Sequence, residues 1–428
     1  MPTRWFEIRS WKLGAAVLVA LIAAGVIMTT SFDPAWSQQR PVQCPIGEWS
    51  LYKPSVDEPF HLDSVFCLIA SPDSSTFSPD GRAAVRDLGK GGFAVFPLEK
   101  RSLFLPPPGT PEPIKSATYD IHVGGMLGVN SDAPAWAWDA DSRGVWAFTR
   151  ADPPSIAKLA EGHIEKTSSP SIDGHPLRSL IWAPGGRFAL GQFDEFSRAP
   201  MRVKSTPILA FVDGETGQVI ERFPSDLLPK EAVSDEWGWS VERAAVTRGP
   251  NGKLYSVIFI EGGWIYWVQG ESPKYVPQPF PSDRFSRMAL SPDGKTVLIQ
   301  HDLRPLGIVY DLPIGMRGPK LTPVTGVREA LHDAATGVPR WTISETVVAP
   351  SDHNSPVISS DGKFGLLALA TEPNDKLRRG ISVVDMENGR VLEVLPTYGT
   401  YNYSFGFAGA GSLIWISQVL VTALYERR

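Results

Sequence analysis

The stretch of sequence that decides the fold runs from Phe285 to Leu312 and reads FSRMALSPDGKTVLIQHDLRPLGIVYDL. At its centre, Ser291-Pro292-Asp293-Gly294 predicts a tight turn, because proline presets φ, aspartate bonds back to the chain and glycine accepts a positive φ. Short apolar runs lie on both sides of this turn, and a third run, Ile308-Val309-Tyr310, follows a polar break. Three short strands joined by turns predict one antiparallel meander.

The same pattern recurs along the whole chain. Turn segments that contain a glycine precede apolar runs, and these turn glycines are Gly81, Gly144, Gly186, Gly252, Gly294, Gly362 and Gly411. Their irregular spacing suits four-stranded units with loops of variable length. The sequence therefore predicts an all-β fold, a single β-propeller of seven four-stranded blades, with six or eight blades as alternatives. The best short helix candidates after Pro34 are residues 227–233 and 327–335.

The turns also carry a family resemblance. Ser78-Pro79-Asp80-Gly81 repeats the central motif, and Phe211-Val212-Asp213 and Val383-Val384-Asp385 each lead through a glycine turn into a valine. From about residue 46 to its end, the chain resembles the WD40-like propellers of bacterial envelopes, the Ser-Pro-Asp-Gly type seen in TolB. The resemblance implies a scaffold, a ligand binder or, in some cases, an enzyme. It does not extend to a regular Trp-Asp or Gly-His signature.

The N-terminus has the features of an export signal. Arg4, Arg9 and Lys12 give a basic start, residues 13–28 are uncharged and mostly apolar, and Ala35-Trp36-Ser37 offers small residues for cleavage. We expect either a signal peptide cleaved near Ser37 or an N-terminal membrane anchor that is retained. The first alternative predicts a periplasmic or secreted protein. The second predicts a protein anchored in the inner membrane.

The two cysteines, Cys44 and Cys67, lie shortly after this segment. In an oxidising compartment an isolated pair predicts a disulfide, and two unrelated buried thiols are the alternative. The last repeat offers only three strands, so a strand from the N-terminal side should complete it. Residues 65–69 are the preferred candidate over residues 49–52. The predicted organisation is residues 1–37 as signal or anchor, 38–75 as the segment with the disulfide and closing strand, and 76–428 as the propeller.

Catalytic and metal-binding motifs are absent from the sequence. It has no Gly-x-Ser-x-Gly elbow and no His-Glu-x-x-His, and its histidines are scattered singly. We therefore predict no catalytic residue, no metal and no cofactor. The Ser-Pro-Asp-Gly aspartates are interpreted as turn formers, and the tryptophans as packing between blades. Trp237 and Trp239 are the exception, because they fall in a connection between blades and are candidates for binding.

Arginines concentrate in the connections between second and third strands. They are Arg198, Arg202, Arg304, Arg378 and Arg379, and guanidinium groups suit forked contacts with carboxylate or phosphate. A well-solvated set of loops is the alternative interpretation. The formal net charge of −5 argues against nucleic acid as the main partner.

The leading prediction is an exported, non-catalytic propeller that acts as a binding or scaffold protein in the cell envelope. Its partner would be an envelope protein or an anionic polymer, and it would contact the membrane only if residues 13–28 are retained. One alternative is a periplasmic hydrolase or lyase acting on a sugar or lactone, with His301 and loop carboxylates as acid and base. Another is a membrane-tethered structural subunit.

Overall fold

The computed structural model describes eighteen segments of the chain. They are residues 60–66, 75–87, 93–97, 117–119, 136–149, 153–160, 163–193, 208–224, 226, 244–260, 263–277, 287–301, 324–347, 355–368, 380–396, 403–408, 411–418 and 422–427. In these segments no helix has the length and apolar character needed to cross a membrane. The predicted signal segment and both cysteines lie outside the described residues, so the disulfide stays a prediction.

The described residues form seven four-stranded antiparallel sheets and one short hairpin. The first strand of the chain is β1 (Phe60–Phe66). Sheets one to six then follow in chain order, each a meander of four successive strands. Their strands are, sheet by sheet, β2 (Ser75–Phe77), β3 (Ala83–Asp87), β4 (Phe93–Pro97), β5 (Ala117–Tyr119); β6 (Trp136–Trp138), β7 (Gly144–Thr149), β8 (Ser155–Ala160), β9 (His163–Ser168); β12 (Ser179–Trp182), β13 (Phe188–Gln192), β14 (Leu209–Asp213), β15 (Gln218–Arg222); β16 (Ala244–Arg248), β17 (Leu254–Ile260), β18 (Gly263–Val268), β19 (Lys274–Pro277); β20 (Arg287–Leu290), β21 (Thr296–Gln300), β22 (Val324–Asp333), β23 (Pro339–Val347); and β24 (Val357–Ile358), β25 (Phe364–Ala368), β26 (Gly380–Asp385), β27 (Val391–Pro396).

The seventh sheet joins the two ends of the described chain. Its strands β28 (Tyr403–Ala408), β29 (Leu413–Gln418) and β30 (Thr422–Arg427) are followed in the sheet by β1, which pairs with β30 antiparallel. A strand from the N-terminal side thus completes the last sheet, as expected. It begins five positions earlier than predicted, since it covers Phe60–Phe66 and not residues 65–69. The short hairpin, β10 (Ser171–Ile172) with β11 (His175–Pro176), lies between sheets two and three.

Contacts between neighbouring sheets close these units into a ring. The first strands of successive sheets touch from β12 through β16, β20, β24 and β28 to β2. Between sheets one and two, the Asp80 N–H donates to Ser142 Oγ at 3.1 Å. Between sheets two and three, the rings of Trp146 and Trp182 lie 6.5 Å apart. The prediction of a single all-β propeller is confirmed.

The Ser-Pro-Asp-Gly turns are closed by their own side chains. Ser291 Oγ donates to Asp293 Oδ1 at 2.6 Å and accepts the Thr296 N–H at 2.9 Å, while Asp293 accepts the Lys295 N–H at 3.0 Å. Gly294 takes φ of 73°. The turns at Ser78 and Ser359 repeat this pattern. The interpretation of these aspartates as turn formers is therefore confirmed.

The second sheet departs from the expected turn. Gly144 was assigned as its turn glycine, but it is the first residue of β7, and Ser142 holds the left-handed position with φ of 61°. The Ser142 side chain is buried, and its Oγ accepts the Asp80 N–H from the first sheet. This contact with the neighbouring sheet gives serine a role there that glycine could not fill.

The third strand of the fifth sheet was also assigned wrongly. Residues 308–310 were expected to form it, but β21 pairs with β22 (Val324–Asp333). Residues 327–335, interpreted as a short helix candidate, lie almost entirely in that strand. The helix prediction is wrong because pairing with β21 and β23 on both sides satisfies the backbone of β22. Residues 308–310 and 227–233 lie outside the described residues. The fourth strand of the first sheet is β5 (Ala117–Tyr119).

The hydrophobic core lies in layers between adjacent sheets. Each buried cluster combines residues from two neighbouring sheets, for example Phe211 of sheet three with Trp267 of sheet four, whose rings stack at 4.0 Å. The tryptophans of the described strands are buried in these layers, which confirms their interpretation as packing residues. Two of them also donate across a layer: Trp264 Nε1 to the Ala334 carbonyl at 2.8 Å, and Trp341 Nε1 to the Met386 carbonyl at 3.0 Å.

Candidate functional site

The ring has two unlike ends, defined by the second strand of each sheet. At the start of that strand lie the turns between strands one and two, and the turns between strands three and four lie beside them. The Gly214, Ala334 and Met386 N–H groups donate to the carbonyls of Arg187, Lys295 and Lys363, which joins the two kinds of turn. We call this end the turn face. The opposite end, where second strands finish and third strands begin, is the loop face.

The arginines predicted to bind all fall in connections that begin and end at the loop face. Arg198 and Arg202 lie between β13 and β14, Arg304 lies between β21 and β22, and Arg378 and Arg379 lie between β25 and β26. Trp237 and Trp239 lie between β15 and β16, in the connection from sheet three to sheet four. All seven residues lie outside the described residues, so their assignment to a binding surface stays a prediction.

A polar row, with two buried members, lies at the loop-face end of the fifth sheet. Arg287 pairs with Gln300, and Gln300 pairs with Glu329, on three adjacent strands. Residues paired across antiparallel strands project from the same side of a sheet. Gln300 is 5% exposed and Glu329 is 2% exposed. The row therefore begins on β20, the first strand of the sheet, and continues across β21 to β22.

This row faces the sixth sheet. Gln300 Nε2 donates to the Ala368 carbonyl at the end of β25 at 2.6 Å, and to Glu329 Oε1 at 3.3 Å. Leu298 and Leu331, on the same side of the fifth sheet, pack with Leu367 and Val384 of the sixth. The amide of Gln300 thus links two neighbouring blades at the ends of β21 and β25, where the loop-face connections begin.

His301 and His332 belong to the other side of the fifth sheet. The His332 ring meets Trp264 of the fourth sheet edge-to-face at 5.4 Å, and its Nδ1 lies 2.9 Å from the Gly337 carbonyl. Burial, with a smaller repulsion from His332, lowers the pKa of His301 to about 4. Burial also lowers the pKa of His332, against the opposing effect of its contact with Gly337. Both imidazoles are therefore neutral near pH 7.

His332 is not arranged as an acid–base pair with the carboxylate that follows it in the chain. Asp333 follows His332 in the chain, but its Oδ1 accepts the N–H groups of Ala335 and Thr336 in its own turn. Consecutive strand residues also point to opposite faces, which separates the His332 ring from that carboxylate. Asp302, next to His301, lies outside the described residues. Within the described segments, no three His, Cys, Asp or Glu side chains are placed to hold a metal ion.

Neither protein-family models nor curated proteins match this chain. Its function must therefore be argued from its own residues. The buried Gln300 joins two blades through its hydrogen bonds to Glu329 and to the Ala368 carbonyl, and this is the chemistry of a fixed hydrogen-bonded network. The connections with the predicted arginines begin from the same end of the ring.

Sequence reasoning missed this row for an identifiable reason. With the third strand of the fifth sheet placed at residues 308–310, Glu329 was not aligned with Gln300. A usable signal was present, because Val338 is preceded by Asp333-Ala334-Ala335-Thr336-Gly337, which resembles the Asp-to-Gly turns after β14 and β26. Taking that turn as the boundary between strands three and four places β22 immediately before it, as observed.

The buried histidines predict an acid-sensitive fold. Because the pKa of His301 is lowered in the folded protein relative to its usual value near 6.5, protons bind more strongly to the unfolded chain. Stability should be full above about pH 6.5 and should fall as the pH drops towards 4, with His301 alone contributing a loss of about 2 kcal/mol between pH 6.5 and 5. Urea unfolding at pH 6.5 and at pH 5 measures this loss of unfolding free energy.

The matched variant for this test is His301→Gln, which removes one titrating group. It should show a shallower loss of unfolding free energy between pH 6.5 and 5 than the wild-type chain. His163→Gln, at an exposed position on β9, is the control and should leave the slope unchanged. Equal slopes in all three proteins would contradict the role of His301.

Proposed function

We propose that this chain is an exported, non-catalytic propeller that binds an envelope protein or anionic polymer through its loop face. The propeller fold is compatible with a binding or scaffold role. We also infer that its repeats are of the WD40-like, Ser-Pro-Asp-Gly type of bacterial envelopes, an inference supported by the shared geometry of the turns at Ser78, Ser291 and Ser359.

The observation that supports this proposal is the contrast between the two faces. On the turn face, the described turns between strands one and two are short, and their side chains are engaged in closing them. On the loop face, the second and third strands of a sheet are joined by residues 193–208 in sheet three, 301–323 in sheet five and 369–379 in sheet six. Long connections on a rigid scaffold are where propellers and other folds carry binding residues.

The five arginines of these connections define the chemistry of the partner. They come from sheets three, five and six, and they supply cationic groups that form forked contacts with carboxylate, sulfate or phosphate. An anionic partner would be steered to this face, and its affinity would fall as salt screens the charges. The basic and apolar N-terminus supports export, and an exported chain would meet such a partner in the envelope.

Charge reversal tests the proposal directly. Arg378→Glu with Arg379→Glu should weaken retention on immobilised dextran sulfate and shift elution to lower salt. The free energy of unfolding should change by no more than about 0.5 kcal/mol, the usual range for substitutions in exposed loops. The same variant, used as bait in envelope extracts, should lose the proteins that the wild-type chain captures.

The matched control is a double reversal on the turn face. Lys295→Glu with Lys363→Glu changes the net charge equally at two exposed positions of described turns. Retention of this control should resemble that of the wild-type chain. If both double variants lose retention equally, binding depends on net charge alone and the loop face is not the site. If reversal of the arginines unfolds the protein, those residues are structural.

A further inference from the structure

The turn between β16 and β17 contains an asparagine where the equivalent turn of the fifth sheet contains an aspartate. Its sequence is Gly249-Pro250-Asn251-Gly252, and Asn251 Oδ1 accepts the Lys253 N–H at 3.1 Å. In the fifth sheet, Asp293 Oδ1 accepts the Lys295 N–H at 3.0 Å in the same way. Asn251 therefore closes its turn as an aspartate would, but with a carboxamide in place of a carboxylate.

An asparagine followed by a glycine can modify itself without an enzyme. The backbone nitrogen of the glycine attacks the carboxamide carbon, a new C–N bond forms, and the bond to the amide nitrogen breaks with release of ammonia. Water then opens the resulting cyclic imide at one of its two carbonyl carbons, which gives an aspartyl or an isoaspartyl residue. Glycine favours the first step because no Cβ crowds the attacking nitrogen.

The Asn251 side chain contacts a group that can protonate the departing nitrogen. Asn251 Nδ2 lies 2.8 Å from the Tyr255 hydroxyl, within the reach of a general acid. The amide nitrogen donates to this hydroxyl before the reaction. After Gly252 N has added, the amide nitrogen is an amine with a lone pair, and the hydroxyl can donate to it. Tyr255 regains its proton from solvent, which has received the one lost by Gly252 N.

The other two reacting groups are also placed for this step. The Lys253 N–H, bonded to Asn251 Oδ1, stabilises the oxyanion that forms when Gly252 N attacks. Gly252 is exposed, and the nearest atom to a Cβ added there is an Arg248 nitrogen at 3.7 Å. Arg248 Nε donates to the Gly252 carbonyl at 3.2 Å. A positive charge beside the peptide group favours loss of its amide proton.

A second Asn-Gly pair, Asn388-Gly389 in the turn after β26, provides the contrast. Asn388 Oδ1 likewise accepts the Arg390 N–H, at 2.9 Å. Its Nδ2, however, donates to the Asp385 side chain at 2.9 Å, and an ionised carboxylate has no proton to give to a leaving amine. Gly389 is also confined, because an added Cβ would lie 2.7 Å from Trp341 Cδ2. Both glycine N–H groups donate to turn carbonyls, so the cost of breaking that bond is shared.

We propose that Asn251 is a site of spontaneous deamidation in the folded protein. The reaction passes through a cyclic imide with Gly252, and Tyr255 is its general acid. The aspartyl product places a carboxylate where Asp293 has one in its own turn, so this product can keep the bond to the Lys253 N–H. The isoaspartyl product adds a methylene to the backbone and displaces the carboxylate. Either product adds a negative charge to the turn face at the fourth sheet.

Peptide mapping by mass spectrometry, after incubation of the folded chain in mildly alkaline buffer, tests the proposal. Water enriched in heavy oxygen labels the carboxylates that form during the incubation. Asn251 should deamidate at least about 10-fold faster than Asn388 in the folded chain. In urea, where only the local sequence remains, the two should react at similar rates. The proposal is overturned if Asn388 reacts as fast as Asn251 in the folded chain, if neither reacts, or if urea leaves their ratio unchanged.

Tyr255→Phe distinguishes assistance by the hydroxyl from restraint by it. The variant keeps the ring that packs against Tyr266 and should slow deamidation of Asn251 by about 10-fold or more. Tyr266→Phe is the matched control, because it removes a hydroxyl that bonds to Gly294 and should leave the rate at Asn251 unchanged. Urea unfolding checks that both variants are folded. An equal or faster rate in Tyr255→Phe would exclude the hydroxyl as general acid.

Discussion

Replacing Gly294 by alanine should destabilise the protein by about 2–4 kcal/mol, the sum of a backbone cost and an overpacking cost. Gly294 has φ of 73°, a conformation that an L side chain adopts only with strain. A Cβ added there would also lie 2.3 Å from Cγ of Tyr255 in the fourth sheet. Tyr255 cannot simply withdraw, because its ring packs against Tyr266, whose hydroxyl donates to the Gly294 carbonyl.

Gly252→Ala is the matched control for this variant. Gly252 occupies the equivalent turn of the fourth sheet with φ of 79°, but the nearest atom to its added Cβ is an Arg248 nitrogen at 3.7 Å. Its substitution should therefore cost only the backbone term, about 1 kcal/mol. Urea unfolding, monitored by circular dichroism, measures the loss of unfolding free energy in both variants. Equal losses in the two variants would mean that the contact between Gly294 and Tyr255 relaxes without cost.

Truncation of Trp264 to alanine should cost about 3–5 kcal/mol, as expected for a large aromatic side chain removed from a core. Trp264 is fully buried between the fourth and fifth sheets. It packs edge-to-face on His332 and donates from Nε1 to the Ala334 carbonyl. The substitution therefore removes packing and a hydrogen bond at one junction between blades, and thermal or urea unfolding would measure the loss.

Two phenylalanine variants separate the contribution of packing from that of hydrogen bonding. Trp264→Phe keeps most of the ring but leaves the buried Ala334 carbonyl without its donor, which costs about 1–3 kcal/mol. Trp267 is equally buried and faces the third sheet, and its Nε1 has no hydrogen-bond partner among the described residues. Trp267→Phe should therefore cost less than Trp264→Phe. If the two cost the same, the bond to Ala334 contributes nothing to stability.

Local chemistry explains why the architecture could be predicted from the sequence. A Ser-Pro-Asp-Gly turn is closed within six residues by Ser291 Oγ, the Asp293 carboxylate and the positive φ of Gly294, so no distant contact is needed to specify it. The short apolar runs beside each turn pair with each other as hairpins. Repetition of these units then requires that neighbouring sheets bury each other's faces.

The candidate binding residues were predictable only as positions along the chain. The alternation of turns and strands assigns Arg304, Arg378 and Arg379 to connections that begin and end at the loop face. The contact between Gln300 and Glu329 was not predictable, because the two residues meet only when β22 pairs with β21. Residues 327–335 contain an apolar spacing that also suits a short helix, and local pattern alone could not choose between the two.

By itself, the sequence determined the turns, the short strands and the all-β repeat, because each depends on groups only a few residues apart. Tertiary structure alone decided which side chains face a neighbouring sheet. Gly252 and Gly294 occupy equivalent turns with the same backbone conformation, yet only Gly294 lies against a tyrosine. His301 and Gln300 are adjacent in sequence, yet Gln300 bonds to the sixth sheet while the pKa of His301 is affected by His332, whose ring meets Trp264 of the fourth sheet. The physical reason is that packing between blades brings together residues that are tens of positions apart in the chain. A local sequence pattern does not specify such contacts.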